Sequence, residues 1–144
     1  MVSHTFQLLV SDEELDASLA AIARALVPGG RFVFETWHPQ AREWEEWHAD
    51  NPIDVVDEHG RAYRVVSEVD DVAGDLLTFT ETTIDSAPGD VVWTDRTTLR
   101  FLDEAGLDEH LARAGFGIEA RYGDWDRSPV TGTSREIITV ARRL

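Results

Sequence analysis

The chain has 144 residues, 42% of them apolar, which suits one folded domain and argues against disorder. It carries 28 acidic residues against 13 basic ones, all arginine, for a net charge of −15, which works against nucleic acid and anionic lipid as partners. There is no cysteine, so a disulfide framework, a thiolate nucleophile and a Cys-ligated zinc are excluded. No apolar run approaches the roughly 20 residues that cross a bilayer, and no basic, cleavable leader opens the sequence. The expectation is an acidic cytoplasmic domain that meets a small molecule or another protein.

In chain order, Met1-Val-Ser-His4 reads as the last residues of a strand. Ser11 with Glu14 three residues on is a capping box, and Leu15, Leu19, Ile22 and Leu26 line one face of the helix it opens. Pro28-Gly29-Gly30 stops that helix, and Arg31–Thr36 follows as a strand. A second helical stretch is expected from His38-Pro39 to Asp50. If it reaches back to Trp37, then Trp37, Trp44 and Trp47 share a face. Ala62–Val69, Leu76–Ile84 and Val91–Phe101 are rich in β-branched and aromatic residues, and turn signals at Ala73-Gly-Asp75 and Pro88-Gly-Asp90 predict a three-stranded antiparallel meander. A third helix is expected from about Asp103 to Ala114, capped by Gly115. Ile118–Tyr122 and Ile137–Ala141 then read as closing strands on either side of a long polar loop that begins at Gly123.

The five histidines (His4, His38, His48, His59 and His110) are scattered, with no pair at metal-binding helical spacing, and read as surface or supporting residues. Neither a nucleophile elbow nor a P-loop occurs. Gly115-Phe-Gly117 follows a helix and precedes a strand, the reverse of a phosphate-cradling context. Two tryptophans stand out from the core-packing expectation. Trp37 lies just past the C-terminal end of a strand, where open α/β sheets place ligands. Trp125 lies in a polar loop between Asp124 and Asp126, so a buried ring there needs a polar partner and an exposed ring is a binding platform. Glu35 ends an apolar strand, and is placed either to act as a base or to pair with an arginine.

The order of these signals resembles the C-terminal half of class I S-adenosylmethionine-dependent methyltransferases of the small-molecule type. The resemblance rests on Val2-Ser-His-Thr-Phe-Gln7, an amphipathic helix, Leu26-Val-Pro-Gly-Gly-Arg-Phe-Val-Phe-Glu-Thr36, Leu111-Ala-Arg-Ala-Gly-Phe116 and Tyr122-Gly-Asp-Trp125. It covers essentially the whole chain. It implies an α/β fold, a partial Rossmann-like sheet with an inserted antiparallel β meander, in one truncated domain over 1–144 with a β-rich substrate-side insertion over 54–101. It implies S-adenosylmethionine as cofactor and methyl transfer to a small molecule. Ser3, His4, Thr5 and Phe6 match the segment that approaches the cofactor's sulfonium end. Thr36, Trp37, Asp124 and Trp125 match the substrate side, and His4 and Glu35 are the candidate bases. The family's glycine-rich loop and the acidic residue ending its second strand have no counterpart here, which implies that the chain alone is inactive. It also implies a homodimer or swapped assembly through an uncovered strand edge, with strands one to three absent and Met1 inside strand four. Two competing readings are a noncatalytic small-molecule-binding module, in which 31–36 continues the antiparallel sheet, and a noncatalytic partner of a full-length paralogue.

Overall fold

The computed structural model describes all 144 residues, which divide into two compact units: Met1–Arg42 with Leu99–Leu144, and Glu43–Thr98. The first unit contains a three-stranded sheet in the order β1-β7-β6, where β1 is Arg31–Trp37, β6 is Phe116–Tyr122 and β7 is Glu136–Arg143. Both pairings are antiparallel, so β1 and β6 run parallel with the last strand of the chain between them. The register sets Phe34 opposite Thr139 and Trp37 opposite Glu136.

Two helices complete this unit. The first, α1 (Asp12–Ala25), forms as its capping box predicts: Ser11 Oγ accepts from the Glu14 N–H and the Glu14 carboxylate accepts from the Ser11 N–H, each at 3.2 Å. Asp12, Glu13 and Glu14 in its first turn and Arg24 in its last complement the helix dipole. The second, α2 (Glu104–Arg113), is capped by Asp103, whose Oδ1 accepts from the Gly106 N–H at 2.8 Å. It stops at Gly115, whose φ of +84° is the left-handed value that glycine adopts without a steric penalty. Leu15 and Leu19 of α1, Leu107 and Leu111 of α2, Phe32 and Phe34 of β1, Phe116 of β6 and Phe6 form one core. Phe34 is fully buried and stacks on Phe6 at 4.2 Å and on Phe32 at 4.8 Å. Each such side chain removed from water contributes about 1.5–3 kcal/mol.

The two helices are also tied by polar side chains. His110 of α2 is buried, with Nδ1 2.6 Å from Asp16 Oδ1 and Nε2 3.4 Å from Asp12 Oδ1. Arg100 adds an ion pair to Asp12 Oδ1 at 2.7 Å. His38 is buried as well, its Nδ1 accepting from the Gln40 N–H at 3.1 Å, so these two histidines are structural rather than superficial.

The second unit is an antiparallel meander in the order β2-β3-β4-β5: Ile53–Val56, Ala62–Ala73, Leu76–Asp85 and Val91–Arg100, the last strand running two residues past the unit. The predicted meander is present with one strand more. β2 is only four residues long and exposed along its whole length, so it carries no burial pattern to betray it. β3 runs on past Val69 through a bulge between Val69 and Asp71. The Arg61 guanidinium ties the meander's start to the buried Asp85 carboxylate.

Two expected elements are absent. Met1–His4 is not a strand: Ser3 and His4 sit at φ 59° and 54°, which ends an extended run, and a 3-10 turn follows over Thr5–Leu8. The predicted helix over 38–50 reduces to a single 3-10 turn, Glu43–Glu46. Pro39 biases His38 away from helix and Arg42 takes a left-handed φ of 49°. Trp37 belongs to β1, so Trp37, Trp44 and Trp47 share no helical face. Trp47 instead meets Phe79 at 4.9 Å.

The connectivity speaks against the binding-module reading, which requires 31–36 to continue the meander: β1 belongs to the other sheet. The methyltransferase reading expects 31–36 as a central strand separate from the meander; it is separate, and it lies at the edge of the three strands present.

Candidate functional site

β1 distributes its side chains by the alternation of a strand. Phe32 and Phe34 enter the core, and Thr36 follows them to a small cavity lined by Leu15 and Leu107. Glu35 and Trp37 take the other side. β7 pairs with one edge of β1, and the chain's first residues lie along the other. The Met1 ammonium donates to Val33 O at 2.7 Å, and the Trp37 N–H donates to Gln7 Oε1 at 2.8 Å. Gln7 is buried, and its amide also donates to Arg100 O at 3.1 Å. Gln7 stands out in the sequence only by its place in the opening segment, because its role depends on contacts 30 and 93 residues away.

Glu35 is the hub of the site. Only 6% of it is exposed, and no arginine meets it. Its Oε1 accepts from the Ser3 N–H and, at 3.3 Å, from the His4 N–H. Its Oε2 accepts from the Trp125 indole N–H at 2.7 Å. The left-handed turn at Ser3 and His4 aims successive backbone N–H groups at one carboxylate oxygen, an anion-holding nest. The expected arginine pair is therefore replaced by neutral donors. Both carboxylate oxygens of Glu35 are thus engaged within the chain.

His4 is carried by the same turn. Its ring stacks on Trp37 at 3.8 Å with the planes 4° apart. Its Nε2 lies 3.2 Å from Glu136 Oε1, an ion-pair approach without the alignment of a hydrogen bond. Arg135 adds a guanidinium 5.9 Å from the centre of the Trp37 ring. Beside Trp37 opens a cleft of about 700 Å³ whose remaining lining comes from 123–136. Asp124 faces this cleft with Oδ1 accepting from the Trp125 N–H at 2.6 Å. Trp125 combines both predicted alternatives: its indole N–H has a buried partner while 50% of the residue remains exposed. In the same loop the Ser128 N–H, and then its hydroxyl, hold the Asp126 carboxyl below its ordinary range.

The structure thus gathers Ser3, His4, Glu35, Trp37, Asp124 and Trp125. It does not bring Phe6 or Thr36 to them: Phe6 is a core ring and Thr36 lines the cavity beneath. Thr5 spends its hydroxyl on Val2 O. Ser3, His4, Thr5 and Phe6 do not fit a cofactor site among themselves, because the Ser3 and His4 N–H groups are taken by Glu35, the Thr5 hydroxyl is taken locally and Phe6 is buried.

No protein-family model matches the chain, and no curated protein matches it. Solved structures do. The CcbJ methyltransferase of Streptomyces caelestis superposes with a TM-score of 0.73 at 21% identity, over 99% of this chain and 58% of that one. The fold is that of S-adenosylmethionine-dependent methyltransferases. Such an enzyme from Clostridium acetobutylicum gives a TM-score of 0.72 at 13% identity, over 99% of this chain and 56% of its own. CalS10 of Micromonospora echinaspora, an amino pentose methyltransferase solved with S-adenosylmethionine bound, gives 0.63 at 24% identity, over 98% and 55%. The chain therefore spans a little over half the length of the methyltransferases it matches. In that half-fold, Glu35 and Trp37 stand at the C-terminal end of β1, the end at which open α/β sheets bind ligands.

Proposed function

We propose that this chain is the substrate-side half of an S-adenosylmethionine-dependent methyltransferase acting on a small molecule. The observation that carries the reading is the β1-β7-β6 sheet with its two helices, separate from the meander, in a chain that superposes over 99% of its length on such an enzyme. Bound S-adenosylmethionine supplies an electrophilic methyl group. The residues that would hold it belong to a part of the fold that this chain does not contain, so the chain alone is inactive.

This chain's own contribution is alignment, which is most of what methyl transfer asks of a protein. Trp37 and Asp124 bind the acceptor in the cleft. Trp125, moored by Glu35, shields the end of β1 from water. Where the acceptor atom carries a proton, His4 takes it, with the Glu136 carboxylate beside its ring to stabilise the resulting charge. Glu35 does not touch the acceptor; it positions His4 and Trp125 together.

The same reading covers association. β7 leaves one edge of β1 free, and Met1–Gln7 covers it with one side chain and one terminal amine rather than a full ladder. Unpaired strand edges invite pairing, so the chain forms a homodimer or swapped assembly through this edge.

A fusion tests the proposal. A glycine-rich βα segment able to bind S-adenosylmethionine is joined ahead of Met1, and transfer of labelled methyl groups to a panel of amines and alcohols is followed. Transfer that falls on substitution of His4 or Glu35 supports the reading. A fusion that binds the cofactor and transfers nothing overturns it.

A further inference from the structure

Just past β1 the first unit holds a further cavity, of about 240 Å³. Its floor is His38 and Ile137, both almost wholly buried, and its rim is the first turn of α2. Ile137 pairs with Thr36, whereas Glu136 of the Trp37 cleft pairs with Trp37, so the two openings lie on opposite faces of the sheet.

His38 is held at three points. Its N–H donates to Arg135 O at 2.8 Å, its carbonyl accepts from the Ala41 N–H at 3.0 Å, and its Nδ1 accepts from the Gln40 N–H at 3.1 Å. A neutral imidazole that accepts at Nδ1 carries its proton on Nε2. That Nε2–H has no acceptor in the chain, although the residue is only 5% exposed and lines the cavity. A buried donor left without a partner is costly, which points to a bound group that completes it. The fixed ring also lowers the ordering cost of binding.

The rim adds donors of the same kind. Asp103 satisfies the Gly106 N–H through Oδ1 and the Leu107 N–H through its carbonyl. The Glu104 and Ala105 N–H groups precede any intrahelical acceptor and stay open at the positive end of the helix dipole. Charge then limits what these donors can take. The Glu104 carboxylate is paired with Arg121 at 3.0 Å, but Asp103 keeps Oδ2 unshared. An anion would meet that uncompensated carboxylate, and a cation would meet three N–H donors. A neutral group that accepts on one atom and donates from another satisfies both sides. A primary carboxamide does so, with its oxygen on the N–H groups and its NH₂ on Asp103 Oδ2. Pro39 and Ile137 supply an apolar wall for a short hydrocarbon tail.

We propose that this cavity binds a small molecule bearing a primary carboxamide, through His38 Nε2–H, the open N–H groups of α2 and Asp103. The site goes beyond the methyltransferase reading and does not rest on it.

A proton–nitrogen NMR titration of the 144-residue chain tests it with three probes of one shape: isobutyramide, isobutyrate and isobutylamine. Isobutyramide shifts the Glu104 and Ala105 amide signals saturably and binds about tenfold more tightly than either charged probe. His38→Asn keeps an acceptor where Nδ1 stood, drops the Nε2–H and weakens isobutyramide about tenfold. Asp103→Asn keeps the helix cap, removes the charge and lets isobutyrate bind as tightly as the amide. Far-UV circular dichroism checks that the variants stay folded. Should His38→Asn unfold, Glu104→Pro decides, with Glu104→Gln as the control for the lost carboxylate. Proline suits the first helical position, and Asp103 before it is already extended, so only an open N–H donor is lost from the backbone. Isobutyramide then binds about fivefold more weakly than to the Glu104→Gln chain. The proposal is overturned by the absence of saturable shifts, or by either charged probe binding the parent chain as tightly as isobutyramide. Isobutyramide binding that is unchanged in the deciding variant overturns it as well.

Discussion

Replacing Glu35 by Gln tests the hub of the site. The substitution keeps shape but exchanges one acceptor oxygen for an NH₂ group. If the remaining oxygen turns to the Trp125 indole, the NH₂ faces the Ser3 and His4 N–H groups; if it turns to them, the NH₂ faces the indole. Either way a donor meets a donor at a residue that is 6% exposed. Leaving a buried polar group unsatisfied costs about 1–3 kcal/mol, so Glu35→Gln is expected to lose about 2 kcal/mol. Trp125→Phe removes the indole N–H together with part of the ring and leaves Oε2 next to a half-exposed side chain that water reaches, so its cost is nearer 1 kcal/mol. A hydrogen bond to a charged group contributes about 1.5–3 kcal/mol, and the 50% exposure of Trp125 argues for the low end. Urea denaturation of the parent, the two single variants and the double variant, followed by far-UV circular dichroism, gives the coupling. A value of about 1.5 kcal/mol is predicted. A coupling under about 0.5 kcal/mol would show that Glu35 and Trp125 act independently and refute the hub.

Phe34→Ala empties the centre of the aromatic stack and is expected to cost about 3–5 kcal/mol in the same denaturation assay; a loss under about 1 kcal/mol would mean that the ring is not core. Acid stability follows from Asp12, whose carboxyl the Arg100 hydrogen bond holds below its ordinary range. A depressed folded-state value stabilises fully above the unfolded value of about 4 and ceases to do so as pH falls through the folded one. Asp12→Asn should therefore lower the melting temperature at neutral pH and leave it unchanged in strong acid; a difference that persists in strong acid contradicts the assignment. Sedimentation equilibrium should show a dimer or larger assembly at micromolar concentration, and a stable monomer would count against edge pairing through β1.

Local signals were legible in the sequence. Ser11 with Glu14 marked the start of α1, Asp103 and Gly115 bracketed α2, and turn residues divided the meander, because each of these effects acts over a few residues. The stretch 38–50 misled, since the spacing of Trp44 and Trp47 imitates a helix where Pro39 and Arg42 redirect the backbone. The opening residues misled for another reason. They lie along the open edge of β1, but the left-handed turn at Ser3 and His4 breaks the extended run and places two N–H groups on Glu35. Glu35 and Trp37 were visible as site residues from their place at a strand end. Their partners were not: the Trp125 indole bond spans 90 residues, and Gln7 reaches across the core to Arg100. Such contacts exist only once the sheet has formed.

The central claim, that these residues carry the substrate side of a methyltransferase and not its cofactor site, is tested most directly by titrating the chain with S-adenosylmethionine in a calorimeter. The account predicts no saturable heat, because the Ser3 and His4 N–H groups already serve Glu35. A micromolar affinity would contradict it.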